Sequence, residues 1–173
     1  MTKRAVITGV GHYLPKRIVL NSEFEKTLNT SDDWIITRSG IRQRHFSNGD
    51  ETTSKMAVLA GKQAIEDANV EVSDLDAIIL ATSTADLTFP SAATMVQAGL
   101  GMRHGFAYDV QAVCAGFIYA LSTANAQIVS GQANRILVIG SETFSNLMDW
   151  SDRSTCVLFG DGAGAVVLEA HNA

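Results

Sequence analysis

Phe117-Ile118, Leu121, Ala124 and Ile128-Val129 make the stretch after Cys114 apolar at nearly every helical position. A helix with no polar face must be covered on all sides. The spacing therefore predicts a helix from Cys114 to about Ser130, buried in the centre of a domain, with Gly131 to end it. Phe106 to Val110 precedes it and reads as a strand. At 173 residues the chain is long enough for one sizeable domain of packed layers.

The rest of the chain supplies those layers. Ala5 to Val10 reads as a buried strand, with Gly9-x-Gly11 marking the turn after it. Ser31 to Gly40 is a short helix capped by Ser31, acidic in its first turn at Asp32 and Asp33, and ended by Gly40. Arg42-Gln43-Arg44-His45 reads as a solvated strand or loop. Thr52 or Thr53 caps a helix to about Asn69, with Met56, Leu59, Ala60, Ala64, Ile65 and Ala68 inward. Strands follow at Asp76–Thr82 and Arg135–Gly140, with a loop at Phe89-Pro90-Ser91 and a helix to about Leu100 between them. Phe159-Gly160-Asp161-Gly162-Ala163-Gly164 suits a tight turn, and Ala165 to Leu168 a fifth strand. The alternation predicts an α/β fold with a five-stranded, mostly parallel sheet and helices on both faces.

Charge and cysteine usage exclude several classes. A net charge of −5 argues against nucleic-acid binding and a polybasic membrane surface. Two cysteines without a Cys-x-x-Cys pair predict neither a disulfide framework nor a zinc ribbon, which fits a reducing, cytoplasmic setting. None of the four histidines has metal-ligand spacing, so no metal site is predicted. No segment is long enough to span a bilayer, and Gly9, Gly11 and Pro15 break up the first apolar run too early for a signal peptide. The last glycine cluster lacks the lysine of a phosphate-binding loop.

Two places carry candidate chemistry. Cys114 falls at a helix start, where free N–H groups and the helix dipole favour a thiolate nucleophile. Gly116 leaves room for a bound group there. The other reading is a cysteine packed as a small hydrophobe. Trp34 and Arg38 share one helix face. They are either a core tryptophan crossed by an arginine, or a plane and cation that hold an aromatic, phosphorylated ligand.

Five stretches, in order, resemble the β-ketoacyl-acyl-carrier-protein synthase III family of thiolase-fold condensing enzymes. They are Thr30 to Ile35 with Thr37 to Arg42, Phe89 to Ala92, Asp109-Val110 to Phe117, Asp152-Arg153, and Phe159 to Ala165. The resemblance covers nearly the whole chain and implies that Cys114, not Cys156, is the nucleophile, with Cys156 structural on an apolar strand. It implies that Trp34 and Arg153 sandwich the adenine of coenzyme A. Thr30 would be a hydrogen-bond partner and Arg38 would lie near the phosphates. Phe159 would line the acyl pocket, and Phe89 would reach it from a dimer mate. The implied reaction takes an acyl group from acyl-CoA onto Cys114. The acyl group then condenses with malonyl-acyl-carrier protein, losing carbon dioxide, to start fatty-acid synthesis. No cofactor is implied beyond the coenzyme A thioester, which is substrate. Val113 and Ser154 stand where many relatives have alanine and glycine.

The family's catalytic histidine and asparagine lie on motifs of a second, similar half that this chain does not contain. Residues 1–173 therefore read as one N-terminal thiolase-like half-domain, expected to pair with a complementary C-terminal half or to form a homodimer. The alternatives are a non-catalytic acyl-CoA-binding or assembly module, and a thiolase-fold acyltransferase or hydrolase acting with a second chain.

Overall fold

The computed structural model describes residues 3–172; Met1, Thr2 and Ala173, at the ends of the expected half-domain, lie outside the described residues. The strands are β1 (Lys3–Tyr13), β2 (Arg17–Leu20), β3 (Gln43–Phe46), β4 (Ala77–Ala81), β5 (Phe106–Val110), β6 (Arg135–Thr143) and β7 (Asp161–Asn172). The α-helices are α1 (Asn21–Phe24), α2 (Asp32–Ser39), α3 (Thr53–Asp67), α4 (Ala92–Leu100) and α5 (Gly116–Val129).

Five strands form one sheet in the order β1-β7-β6-β4-β5, and β2 pairs with β3 in a separate hairpin. The sheet is mixed rather than mostly parallel: β4 runs parallel to β5 and β6, while β7 is antiparallel to both β6 and β1. The parallel part is what the intervening helices dictate, because α4 and α5 each return the chain to the same end of the sheet. From β6 to β7 no long helix intervenes, so the chain comes back antiparallel.

Helices α3 and α4 cover one face. Met56, Ala60, Ala64 and Val96 pack there on Ile78, Leu80, Leu137 and Ile139. Helix α5 covers part of the other, with Ala120, Ala124 and Ile128 on Ile79, Ile136 and Val138. Each fully buried Ile, Leu or Val contributes roughly 1.5–3 kcal/mol. Leu59, expected inward, is exposed instead, on the outer side of α3.

Three expectations fail for packing reasons. The first concerns Gly9 and Gly11, which mark no turn. They lie within β1, where an added Cβ would strike the backbone of α3 at Ala64 and Ala68, and at Ala60 and Ala64. Their role is to let helix and strand backbones touch. Similarly, Asp161 to Gly164 belong to β7 and form no turn. Finally, α5 is not enclosed: Ile118 and Tyr119 are 61% and 56% exposed. Its small residues bury one face on the sheet, and among the described residues nothing covers the other.

Loop-closing signals fare better. Ser31 caps α2 by accepting from the Trp34 amide, and Gly40 ends it at φ +75°. The free edge of β1 is occupied by side chains of α3. Val10 N donates to Asp67 Oδ2 at 2.9 Å, and His12 N to Gln63 Oε1 at 2.6 Å. At the opposite edge of the sheet, β5 pairs only with β4.

Candidate active site

Cys114 lies beyond the carboxyl end of β5, where open α/β sheets form their crevices. The backbone reaches it through Val113, whose φ of +47° is rare for a β-branched residue and marks local strain. A 3-10 turn, Val113–Ala115, leads into α5, and no side chain caps that helix. Cys114 is exposed in the turn that leads into α5, at the positive end of the helix dipole; the amides of Ala115 and Gly116 bond the carbonyls of Ala112 and Val113 within that turn.

The thiol opens on a cavity of about 350 Å³ shared with Leu14, Phe117, Glu142 and Gly162. Gly140 and Gly164 complete the wall at the ends of β6 and β7. Larger side chains there would fill the space; a Cβ at Gly140 would sit 3.4 Å from Phe117. Gly116 has a different role from the one expected. It is buried and does not line the cavity, and a Cβ on it would make ordinary contact with Ala81 at 3.4 Å, so it faces the strand rather than the ligand space.

Three carboxylates brace the loops around the cavity. Asp109 accepts from Ala92 N at 2.9 Å and Ala93 N at 2.7 Å, which fixes the end of β5 to the start of α4. Glu142 accepts from Ser83 N at 2.8 Å and from the hydroxyl of Thr84, holding the loop that carries Phe89. Asp161, only 4% exposed, accepts from the amides of Ser47 at 2.7 Å and Ser145 at 2.8 Å.

The second group of candidates also meets in space. The guanidinium of Arg38 lies 4.4 Å from the Trp34 ring centroid, and that of Arg153 lies 4.9 Å from it. Arg153 also donates to the carbonyl of Asn29. Thr30 Oγ1, at the head of the same helix, is shielded from solvent and has no hydrogen-bond partner among the described residues. Trp34 thus carries two cations on a half-buried indole, with a spare hydroxyl on the loop beside it.

Phe159 and Phe89 do not join either group directly. Phe159 stacks on Phe144 with centroids 5.0 Å apart, just ahead of the strand that brings Gly162 to the cavity. Phe89 is 83% exposed on the loop before α4. Cys156 is fully buried, but in a turn segment, not a strand. Burial, with the charge of Asp152 second, pushes its thiol up in pKa. The stretch from Arg42 to His45, read as solvated, contains Arg44, which is 6% exposed inside β3. Its partners are backbone carbonyls, and no pattern in the sequence announces such partners. Among the described residues, no group of three His, Cys, Asp or Glu side chains is placed to hold a metal, and no helix is long and apolar enough to cross a membrane.

Comparison with known proteins adds to this geometry. Residues 108–173 match the family described as 3-oxoacyl-[acyl-carrier-protein (ACP)] synthase III. A protein of Roseobacter denitrificans named β-ketoacyl-[acyl-carrier-protein] synthase III is 71% identical over 172 residues, 99% of this chain and 53% of that protein. One of the same name from Ruegeria sp. is 70% identical over 170 residues, 98% of this chain and 53% of that protein. The chain spans about half the length of the curated relatives it matches. The crystal structure of 3-oxoacyl-[acyl-carrier-protein] synthase III from Aquifex aeolicus superposes with a TM-score of 0.95 at 50% identity, over 98% of this chain and 55% of that one. The priming β-ketosynthase of the R1128 polyketide biosynthetic pathway gives 0.96 at 35% identity, over 99% and 52%. The fold is thiolase-like.

Proposed function

The chain belongs to the β-ketoacyl-acyl-carrier-protein synthase III family, and on that premise we propose that it is the nucleophile-bearing half of a condensing enzyme of fatty-acid synthesis. Cys114 attacks the carbonyl carbon of an acyl-CoA thioester. The carbon–sulfur bond to coenzyme A breaks, coenzyme A leaves as its thiol, and the acyl group stays on Cys114. The helix start supplies amides that favour both the thiolate and the oxyanion of the tetrahedral intermediate. The single observation that carries this reading is the exposure of Cys114 on a glycine-walled cavity, behind the strained Val113, while Cys156 is sealed in the core.

Trp34 and Arg153 are the adenine clamp of this proposal, with Thr30 as hydrogen-bond partner and Arg38 near the phosphates. Phe159 lines the acyl pocket, and Phe89 reaches a neighbour's pocket. In the second step malonyl-acyl-carrier protein loses carbon dioxide, and its enolate carbon attacks the acyl-Cys114. That step needs hydrogen-bond donors to the enolate oxygen. None of the described histidines lines the cavity. The donors therefore belong to a second half of the fold, packed on the bare face of α5. No cofactor is required, and the reading places the enzyme in the cytoplasm.

The test is peptide mapping after incubation with radiolabelled acetyl-CoA, followed by a product assay with malonyl-acyl-carrier protein. Label on Cys114 that disappears in Cys114→Ala is the expected result. Label on Cys156, or an adduct that persists in Cys114→Ala, would overturn the assignment. A labelled Cys114 that yields free acetate and no ketoacyl product would favour a hydrolase.

A further inference from the structure

Arg44 is a buried cation with no ion-pair partner among the described residues, the charge of Glu23 reaching it only from beyond ion-pair distance. It is 6% exposed, and among the described residues no carboxylate lies within ion-pair distance of it. Its guanidinium donates from Nη1 to the carbonyl of Val19 at 3.3 Å and from Nη2 to that of Val157 at 3.0 Å. The same group sits 4.7 Å from the ring centroid of Phe24, and Nε has no partner. Burial holds the guanidinium below its ordinary pKa. Burying a charge on carbonyls and a ring face is costly, and an apolar side chain of similar size would fill the space more cheaply.

What the arrangement achieves is a tie between distant segments. Val19 is in β2, Arg44 in β3, and Val157 closes the turn segment that carries Arg153. That segment is otherwise organised mostly by its own short-range bonds, with Asp149 holding Ser151 and Asp152 holding Ser154 and Thr155. Its apolar packing partners include Val19, Phe24 and Ile35, the last on the helix that carries Trp34. The far side of Arg44 is closed by Gly160, where an added Cβ would come within 3.0 Å of the Arg44 Cβ.

We propose that Arg44 is a positioning residue: by bonding Val19 and Val157 it sets the turn segment against α2 so that Arg153 stands over Trp34, the two side chains parting to take a nucleotide between them. This rests on the reading of Trp34 and Arg153 as a nucleotide clamp. Arg44 touches no substrate; it acts through the backbone at Val157.

The experiment compares acetyl-CoA with acetyl-pantetheine, which lacks the nucleotide, as donors to Cys114 in the protein as its source organism makes it. Arg44→Met should raise the acetyl-CoA concentration for half-maximal acylation by about ten-fold, as expected when one base-stacking interaction is removed, and leave acetyl-pantetheine within about two-fold. Arg44→Lys, which reaches one carbonyl, should recover part of the loss. Gly160→Ala, which presses on the Arg44 stem, should show the same selectivity more weakly. If Arg44→Met does not fold, the latter two variants decide. Equal loss with both donors, or no loss with either, overturns the proposal. Trp34→Ala separates the two layers. If Trp34→Ala is selective for acetyl-CoA and the Arg44 variants are not, Arg44 has no positioning role. If Trp34→Ala is itself unselective, the clamp fails and the proposal fails with it.

Discussion

The guanidinium carbon of Arg153 stands 4.9 Å from the centroid of the Trp34 indole, so the two groups touch with no layer between them. A flat ring stacked on both needs two contact distances, about 7 Å in all. If the pair is the proposed adenine clamp, it is closed on itself in this state, and the two side chains must part to admit a purine. Trp34→Ala removes the platform and should weaken coenzyme A binding by about ten-fold or more. Unchanged affinity by calorimetry would rule the clamp out.

Gly9→Ala and Gly11→Ala should each be severe, because the new methyl group meets helix backbone, which has no alternative rotamer. A loss of roughly 3 kcal/mol is expected, the upper end of the usual range for forced overpacking. Gly49→Ala, with nothing within 4 Å of the added Cβ, is the control. It should stay within about 0.5 kcal/mol. Urea denaturation of the three variants gives the comparison; tolerance of either strand substitution would mean that α3 does not lie this close to β1.

Acid should release one defined tie. Burial alone would push the Glu169 carboxyl up. The bonds from Arg135, at 2.6 Å, and Thr8, at 2.8 Å, outweigh that and hold it below its ordinary value. A folded pKa below the unfolded one contributes stability above the carboxylate range, lost as pH falls through the folded value. Glu169→Gln should cost roughly 1 kcal/mol at neutral pH and almost nothing in strong acid. Equal penalties at both pH values would show that the ion pair carries none of the stability.

Self-association should depend on the open edge of β5. Phe106 N bonds Asp76 O and Thr82 N bonds Val110 O, so by alternation Ala107 presents its N–H outward. Ala107→Pro removes that donor without removing a bond to β4. Sedimentation should show a dimer for the parent protein and a shift toward monomer for Ala107→Pro. A parent that sediments as a monomer would refute pairing at this edge.

Local signals in the sequence carried far, and long-range packing did not. Strand β5 spans Phe106 to Val110 as read, and Ser31 and Gly40 bound α2 as their chemistry requires. Cys114 was legible as a helix-start thiol, and the family resemblance chose it over Cys156. The glycines of β1 were not legible. Gly-x-Gly marks a turn or a close backbone approach, and only the helix lying on the strand decides which. Arg44 was misread because its partners, Val19 and Val157, are 25 and 113 residues away. Helix α5, read as enclosed because it is apolar nearly all round, is covered on one face only within the described residues, since periodicity shows which residues are apolar and not what packs on them. The Val113 strain had no signal at all, since a β-branched residue argues against a left-handed backbone.

The side chains of Asp67 and Gln63 on the β1 edge have a consequence for how many copies can join. A sheet with two open borders can recruit neighbours at both and lengthen without limit. Here two amides of one border, Val10 and His12, are already taken by the molecule's own helix, which leaves β5 as the more open border of this sheet. Two copies meeting there on a two-fold axis use up each other's single opening. The result of such pairing would be a ten-stranded sheet, twice the five strands of one copy, with an occupied border at either end. The same two residues that tidy the edge of one subunit would then set such an assembly to stop at a pair.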